Sequence, residues 1–386
     1  MPGDLPLEVW IVTIAVEEKP VRMTSRLRKE WPLGASVVTT ILFLMFAKTW
    51  FAHLGNPLVF TLLFAWLFIV ILSSAFAIVR HAEAVAERVG EPLGTLILTL
   101  AVTGLEVMMI AAVMYSSTGP TTMARDAMFA VVMLVLNGMI GTSLVLGGLK
   151  HREQTYNLMG ANAFLAVIVP IAVLGLILPN YTQTTPGPIF STLQAAFIIV
   201  MSLGLYGVFL AIQTVRHREY FVHETASSTN DVHHHAEGSA IYHTAFLLLY
   251  LLPVVILAKK LAIPINHAIN VFHAPPALGG LLVALLILSP ECLAATRSAL
   301  ANQLQRSVNV LLGSVLATIS LTIPAVLVIG FITHQPIILG ITPINTLLLV
   351  LTLAVSILTF AGTRTNVLLG AVHVLLFVAY AMLIFD

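Results

Sequence analysis

The sequence predicts an all-α polytopic membrane protein with about eleven transmembrane helices. Of its 386 residues, 59% are apolar and 9% charged, where soluble globular domains use roughly 25% charged residues. So little charge cannot cover a water-facing surface. Eleven stretches also come close to the roughly 20 apolar residues that a helix needs to cross a hydrocarbon core about 30 Å thick. Open strands would leave backbone groups unpaired in lipid, so these spans are expected to be helices. Finally, the lysines and arginines concentrate on one of the two sides that such a threading creates.

The elements follow in order. Residues 1–32 carry five basic and five acidic groups around a short apolar run, Val9 to Val16. They lack a small-residue cleavage pattern and read as a cytosolic segment, not a secretory signal. A leading helix is predicted at 33–52. Spans at 57–79, 92–115, 126–149, 162–178 and 189–215 form a first unit, 57–215. A polar linker occupies 216–243. Spans at 240–258, 277–297, 308–332, 337–360 and 366–385 form a second unit, 244–386. With the N-terminus inside, fourteen of the eighteen basic residues fall on the inner side. Only Lys48, Arg125, Lys259 and Lys260 fall outside. This positive-inside bias predicts an N-in, C-out topology.

Composition excludes several classes. A net charge of +1 offers no phosphate-tracking stripe for nucleic acid. One cysteine, Cys292, rules out a disulfide framework or a cysteine-rich zinc module. There is no Walker A loop for a primary pump and no His-Glu-x-x-His or Ser-His arrangement for an intramembrane enzyme.

Two segments superpose with an offset of 185 residues: Pro92-Leu-Gly94 leads to Glu106, and Ala277-Leu-Gly279 leads to Glu291. These two glutamates are the acidic residues in the interior of the predicted spans. In each copy an arginine, Arg125 or Arg306, opens the next hydrophobic segment. The copies lie an odd number of spans apart, so the two five-helix units must be inverted relative to each other. Inverted repeats meeting at the midplane are a common architecture of secondary transporters.

A carboxylate at the bilayer centre is costly and marks a functional site by default. The alternative is a protonated Glu bonded to a neighbouring helix, a reading that weakens when two such residues are related by a repeat. Thr95, Thr99, Thr103 and Glu106 share one helix face, and Ser314, Thr318 and Thr322 repeat a four-residue step. Such hydroxyls often bond only their own i−4 carbonyl. Pro290 lacks an N–H and so leaves the carbonyl of Leu286 without its helical partner. That is either a packing kink or an oxygen ligand for a hard cation. Gly104 and Gly313 thin their helices for close approach. Two neighbouring carboxylates can take one divalent cation or two protons, so the expected activity is obligatory exchange of a cation for protons. No organic cofactor is expected; the partners are Ca²⁺, Na⁺ or K⁺, protons and the lipid bilayer. A channel or a transition-metal transporter fed by histidines remains the competing reading. Soft-metal sites favour His or Cys ligands, and neither glutamate has a His within one turn.

At Leu72-Ser-Ser-Ala-Phe-Ala-Ile-Val-Arg-His81, Gly90-Glu-Pro-Leu-Gly94, Leu282-Val-Ala-Leu-Leu-Ile-Leu-Ser-Pro-Glu291, Gly313-Ser-Val-Leu-Ala-Thr-Ile-Ser-Leu-Thr322 and Gly362-Thr-Arg-Thr-Asn-Val-Leu-Leu369 the chain resembles the calcium/proton exchanger family. Over nearly its whole length it is similar to the family's bacterial ChaA-type branch of calcium, sodium and potassium/proton antiporters. The resemblance implies the cation/calcium exchanger fold and a multi-pass protein of the bacterial inner membrane. It also implies cation and proton binding at Glu106 and Glu291, with Thr103, Ser289, the Leu286 carbonyl and Ser314 around them. The family's Gly-Asn pair before each Glu is replaced by Val102-Thr103 and Ile287-Leu288. Calcium is the first expectation for the cargo; the missing Asn carbonyls leave room for sodium or potassium. The resemblance further implies that the helix carrying Ser73–His81 and its counterpart in the second half slide to open each side in turn.

Two polar regions remain. Ser73, Ser74, His81, Glu83 and Glu87 lie near the inner end of the second span, where Glu83 and Glu87 form either a cation-collecting mouth or a solvated turn. Residues 216–243 hold six of the thirteen histidines: His217, His223, His233, His234, His235 and His243. Such a tract is a flexible linker, or a regulatory metal or pH site. His373, in the last span, is expected to be a hydrogen-bonded structural histidine.

Overall fold

The computed structural model describes residues 30–90, 93–114, 122–221, 239–271 and 273–385, with the backbone alone for 93–96 and 112–114. Among these residues it is almost wholly helical, with one helix for each predicted span. The helices are α1 (Trp31–Phe51), α2 (Pro57–Val89), α3 (Leu93–Met114), α4 (Met123–His151), α5 (Leu158–Asn180), α6 (Thr192–Arg216), α7 (Ala240–Val271), α8 (Pro276–Leu300), α9 (Leu304–Thr333), α10 (Pro343–Thr359) and α11 (Val367–Leu383). Eight are long and apolar enough to cross a membrane on their own. The apolar part of α3 and the helices α10 and α11 are shorter.

Local chemistry sets the ends. Asn56, Asn157, Ser191, Thr342 and Asn366 cap α2, α5, α6, α10 and α11 by accepting from N–H groups of the first turn. Gly90 ends α2 with φ of 73°, a conformation suited to glycine. The predicted boundaries differ in two instructive places. Helices α2 and α7 run past residues 79 and 258 to Val89 and Val271. A hydropathy window stops where charge begins, whereas backbone hydrogen bonding continues through it. The structure also corrects the linker: α7 starts at Ala240, so His243 is a buried helical residue and not part of a loop.

The chain ends of the helices segregate to two faces. At the face rich in Lys and Arg, the strand Gln154–Thr155 pairs antiparallel with Arg364–Thr365. Lys150 and Gln154 donate to the carbonyls of Leu300 and Ala299 there. At the opposite face Arg125 donates to the Gly340 carbonyl and Asn180 to that of Ile341. Asp126 belongs to this face. It is a further buried acid at the edge of a span, bonded by Arg125 and Thr122.

The tightest packing joins helices of the first predicted unit to helices of the second. Helix α2 packs on α7, α3 on α9, and α8 on α4. Glycines allow the closest crossings. A Cβ on Gly280 of α8 would lie 2.7 Å from the backbone carbon of Asp126, and one on Gly370 of α11 would lie 2.7 Å from the Val145 nitrogen. The core divides into two clusters. One joins α1, α2 and α7, with residues such as Phe43, Leu67, Ile78, Tyr250 and Leu257. The other joins α4, α5, α6 and α9 with the remaining helices. Helices α3 and α8 contribute to both: Leu105 and Leu286 to the first, Ile110 and Leu288 to the second. The helices that carry the two glutamates therefore form the seam.

Candidate functional site between the repeats

A cavity of about 260 Å³ opens beside this seam. Its wall includes Thr99 and Thr103 of α3, Pro290 and Glu291 of α8, Ser314 and Thr318 of α9, and Tyr206 and Gln213 of α6. Toward the basic face it is lined by Glu83, Arg306 and Asn309. The wall is mostly apolar, so the few oxygens in it are the groups among the described residues that could hold an ion along its length.

Glu106 is 2% exposed. Its Oε2 accepts a hydrogen bond of 2.8 Å from the Thr318 hydroxyl of α9, and its Oε1 has no hydrogen-bond partner among the described residues. Glu291 Oε2 is likewise buried without a partner. Glu291 stands within electrostatic reach of both Glu106 and Glu83. A buried carboxylate oxygen without a donor is expensive, and two at one seam need a compensating positive charge. One divalent cation or two protons would supply it. Among the described residues no group of three or more His, Cys, Asp or Glu comes together. An ion here would therefore rest on two carboxylates supplemented by hydroxyl and carbonyl oxygens, a set for hard cations.

The expected site residues separate into two groups. Thr103, Glu291 and Ser314 line the cavity, and Glu106 is joined to it through Thr318. Ser289 and Leu286 do not line it: the Ser289 hydroxyl donates to the Leu285 carbonyl of its own helix, and Leu286 is packed in the core. Ser73 and Ser74 similarly donate to the Val70 carbonyl. Glu83 does reach the cavity wall, within electrostatic reach of Arg306 and Glu87, while Glu87 is exposed beyond it. His81 faces the other way, into a cluster with Glu30 and His243. Thr95, by its side chain, and His223, His233, His234 and His235 lie outside the described residues. His373 bonds Thr359 and Asn137 in a buried network.

Sequence reasoning missed Thr318 as a partner of Glu106, as well as Tyr206, Gln213 and Asn309. Thr318 stood in a visible hydroxyl stripe. Nothing in the spacing says that it reaches across to α3 while Ser289, at the same kind of position, turns back on its own helix.

Eleven helices among the described residues, eight of them long and apolar enough to cross a membrane, with two glutamates at their seam and a cavity beside it, define a multi-pass membrane transporter. The chain belongs to the sodium/calcium exchanger protein family, whose sequence profile matches residues 59–215 and 242–385. It is 40% identical over 354 residues to the sodium-potassium/proton antiporter ChaA of Escherichia coli (strain K12), covering 91% of this chain and 96% of that protein. Among solved structures, native YfkE superposes with a TM-score of 0.70 at 17% identity, over 91% of this chain and 98% of that one. The H⁺/Ca²⁺ exchanger CAX superposes with a TM-score of 0.65 at 13% identity, over 92% and 88%. At these identities the two structures speak for the fold.

Proposed function

We propose that the protein is a secondary antiporter that moves a cation out of the cell in exchange for protons, with Glu106 and Glu291 binding the two in turn. The observation that carries this reading is the pair of buried carboxylates, each with an unpartnered oxygen, at the end of a cavity that reaches the basic face. The bias of Lys and Arg makes that face cytosolic, in the inner membrane of a bacterium. Empty, the site holds two uncompensated charges and resists crossing the hydrocarbon. Loaded with a cation or with protons it is neutralised, so only loaded states reorient and the two fluxes are coupled.

Calcium matches the charge of the pair. A sodium or potassium cargo is favoured by a different observation: Thr318 already occupies one Glu106 oxygen, and a modest ligand set suits a monovalent ion. The name of the relative at 40% identity points the same way. Inverted membrane vesicles energised to an acid interior, and given calcium, sodium or potassium in turn, test the reading. A rise of internal pH on cation addition is expected, absent from Glu106→Gln and Glu291→Gln at equal membrane abundance. Exchange retained by either variant would exclude the two-carboxylate mechanism.

A further inference from the structure

The basic face carries a second buried cluster of titratable groups, away from the cavity. Glu30, at the head of α1, is almost fully buried and receives four groups from two other helices. The Arg80 guanidinium lies 2.9 Å from both its oxygens, His81 Nε2 3.1 Å from Oε2, the Tyr250 hydroxyl 3.0 Å from Oε2, and the Tyr242 hydroxyl 3.5 Å from Oε1. The Leu33 N–H in turn donates to the Tyr250 oxygen. His81 is 1% exposed and His243 of α7 is 7% exposed, and their Nδ1 atoms stand 2.9 Å apart. Phe246 stacks on the His81 ring. These contacts tie α1, α2 and α7, the three helices of the smaller core cluster, at one end.

A contact between two ring nitrogens needs one proton on the line between them. With both rings neutral, His81 donates from Nε2 to Glu30 and accepts at Nδ1 from His243. One added proton is tolerated: His81 donates from both nitrogens and His243 shifts its own proton to Nε2. A second proton puts an N–H on each side of a 2.9 Å gap, and the contact must open. Among the described residues, the groups facing the pair include Glu30 from α1, Arg80 from α2, and Tyr242 and Tyr250 from α7. Glu83 points to the opposite side of α2. Glu30 favours the first added charge, and Arg80, already paired to it, opposes the second.

We infer that the His81–His243 contact is a proton-operated clasp that holds α2 to α7 near neutral pH and releases them when the cytosolic side turns acidic. The assignment of that side, and the consequence for transport, rest on the antiport reading. A clasp that opens in acid would loosen α2 from α7 and slow proton import into a cytosol already acid.

The clasp is tested without any transported ion. Spin labels on Val89→Cys and Ile241→Cys, two exposed positions at the ends of α2 and α7, in a Cys292→Ser background, report the helix separation by electron–electron resonance in lipid nanodiscs. Between pH 8 and pH 5 the mean distance is expected to lengthen by about 2 Å or more, the scale of a helix shift. His243→Asn offers both an N–H and a C=O to His81, so its distance is expected to stay constant; His81→Asn is the reciprocal variant if the first folds poorly. An unchanged distance in the parent, or the same lengthening in the Asn variants, overturns the clasp. Loss of antiport with the distance response intact would count against the antiport reading alone.

Discussion

Replacing Thr318 by Val tests the site at its best-defined bond. The side chains are nearly isosteric, so the core contact on α9 is kept and only the hydroxyl is lost. Thr318 and Glu106 are 3% and 2% exposed, and the bond between them is 2.8 Å long. A hydrogen bond to a charged group in such a setting contributes about 1.5–3 kcal/mol. The hydroxyl donates to the carboxylate, which is the form a cation needs, so its loss disfavours the cation-loaded site relative to the proton-loaded one. At about 1.4 kcal/mol per decade, the half-saturating cation concentration at fixed pH is expected to rise roughly ten- to hundredfold. Maximal exchange at saturating cation is retained. Titration of cation-dependent pH recovery in vesicles measures this, with Thr318→Ser as the variant that keeps the donor. Unchanged half-saturation in Thr318→Val, or an equal rise in Thr318→Ser, would show that the Thr318–Glu106 bond plays no part in cation binding.

Two further expectations concern the frame around the site. Gly370→Ala puts a methyl group 2.7 Å from the Val145 nitrogen and 2.9 Å from the Gly141 carbonyl oxygen; since backbone cannot yield like a side chain, overpacking by about 1–3 kcal/mol is expected, read as a lower unfolding temperature in detergent. His373→Ala leaves the buried Asn137 Oδ1 and the Thr359 hydroxyl without their partner. A cost of about 1–3 kcal/mol per unsatisfied group is expected, again seen in thermal unfolding, with cation half-saturation unchanged because neither residue lines the cavity.

The parts of this architecture that depend on composition could be read directly from the residues. Eleven apolar windows became eleven helices because lipid leaves the backbone no other way to satisfy itself. Glu106 and Glu291 stood out because a carboxylate within an apolar run is costly and a repeat relates the two. Contacts between distant residues left no such trace. Glu30 reads as one of ten charges in an N-terminal segment and His243 as one of six linker histidines, yet both are buried against α2. The hydroxyls show the limit most clearly. Ser73, Ser74 and Ser289 close on carbonyls three or four residues back in their own helices, as helical hydroxyls commonly do, whereas Thr318 crosses to Glu106. That crossing breaks the symmetry of the repeat. Glu291 lines the cavity directly, with one oxygen unpartnered, whereas Glu106 is not in the cavity wall and is bonded to Thr318, which is. Two glutamates equivalent in the sequence are thus unequal in the fold, and in this conformation the side open toward the basic face meets Glu291 first.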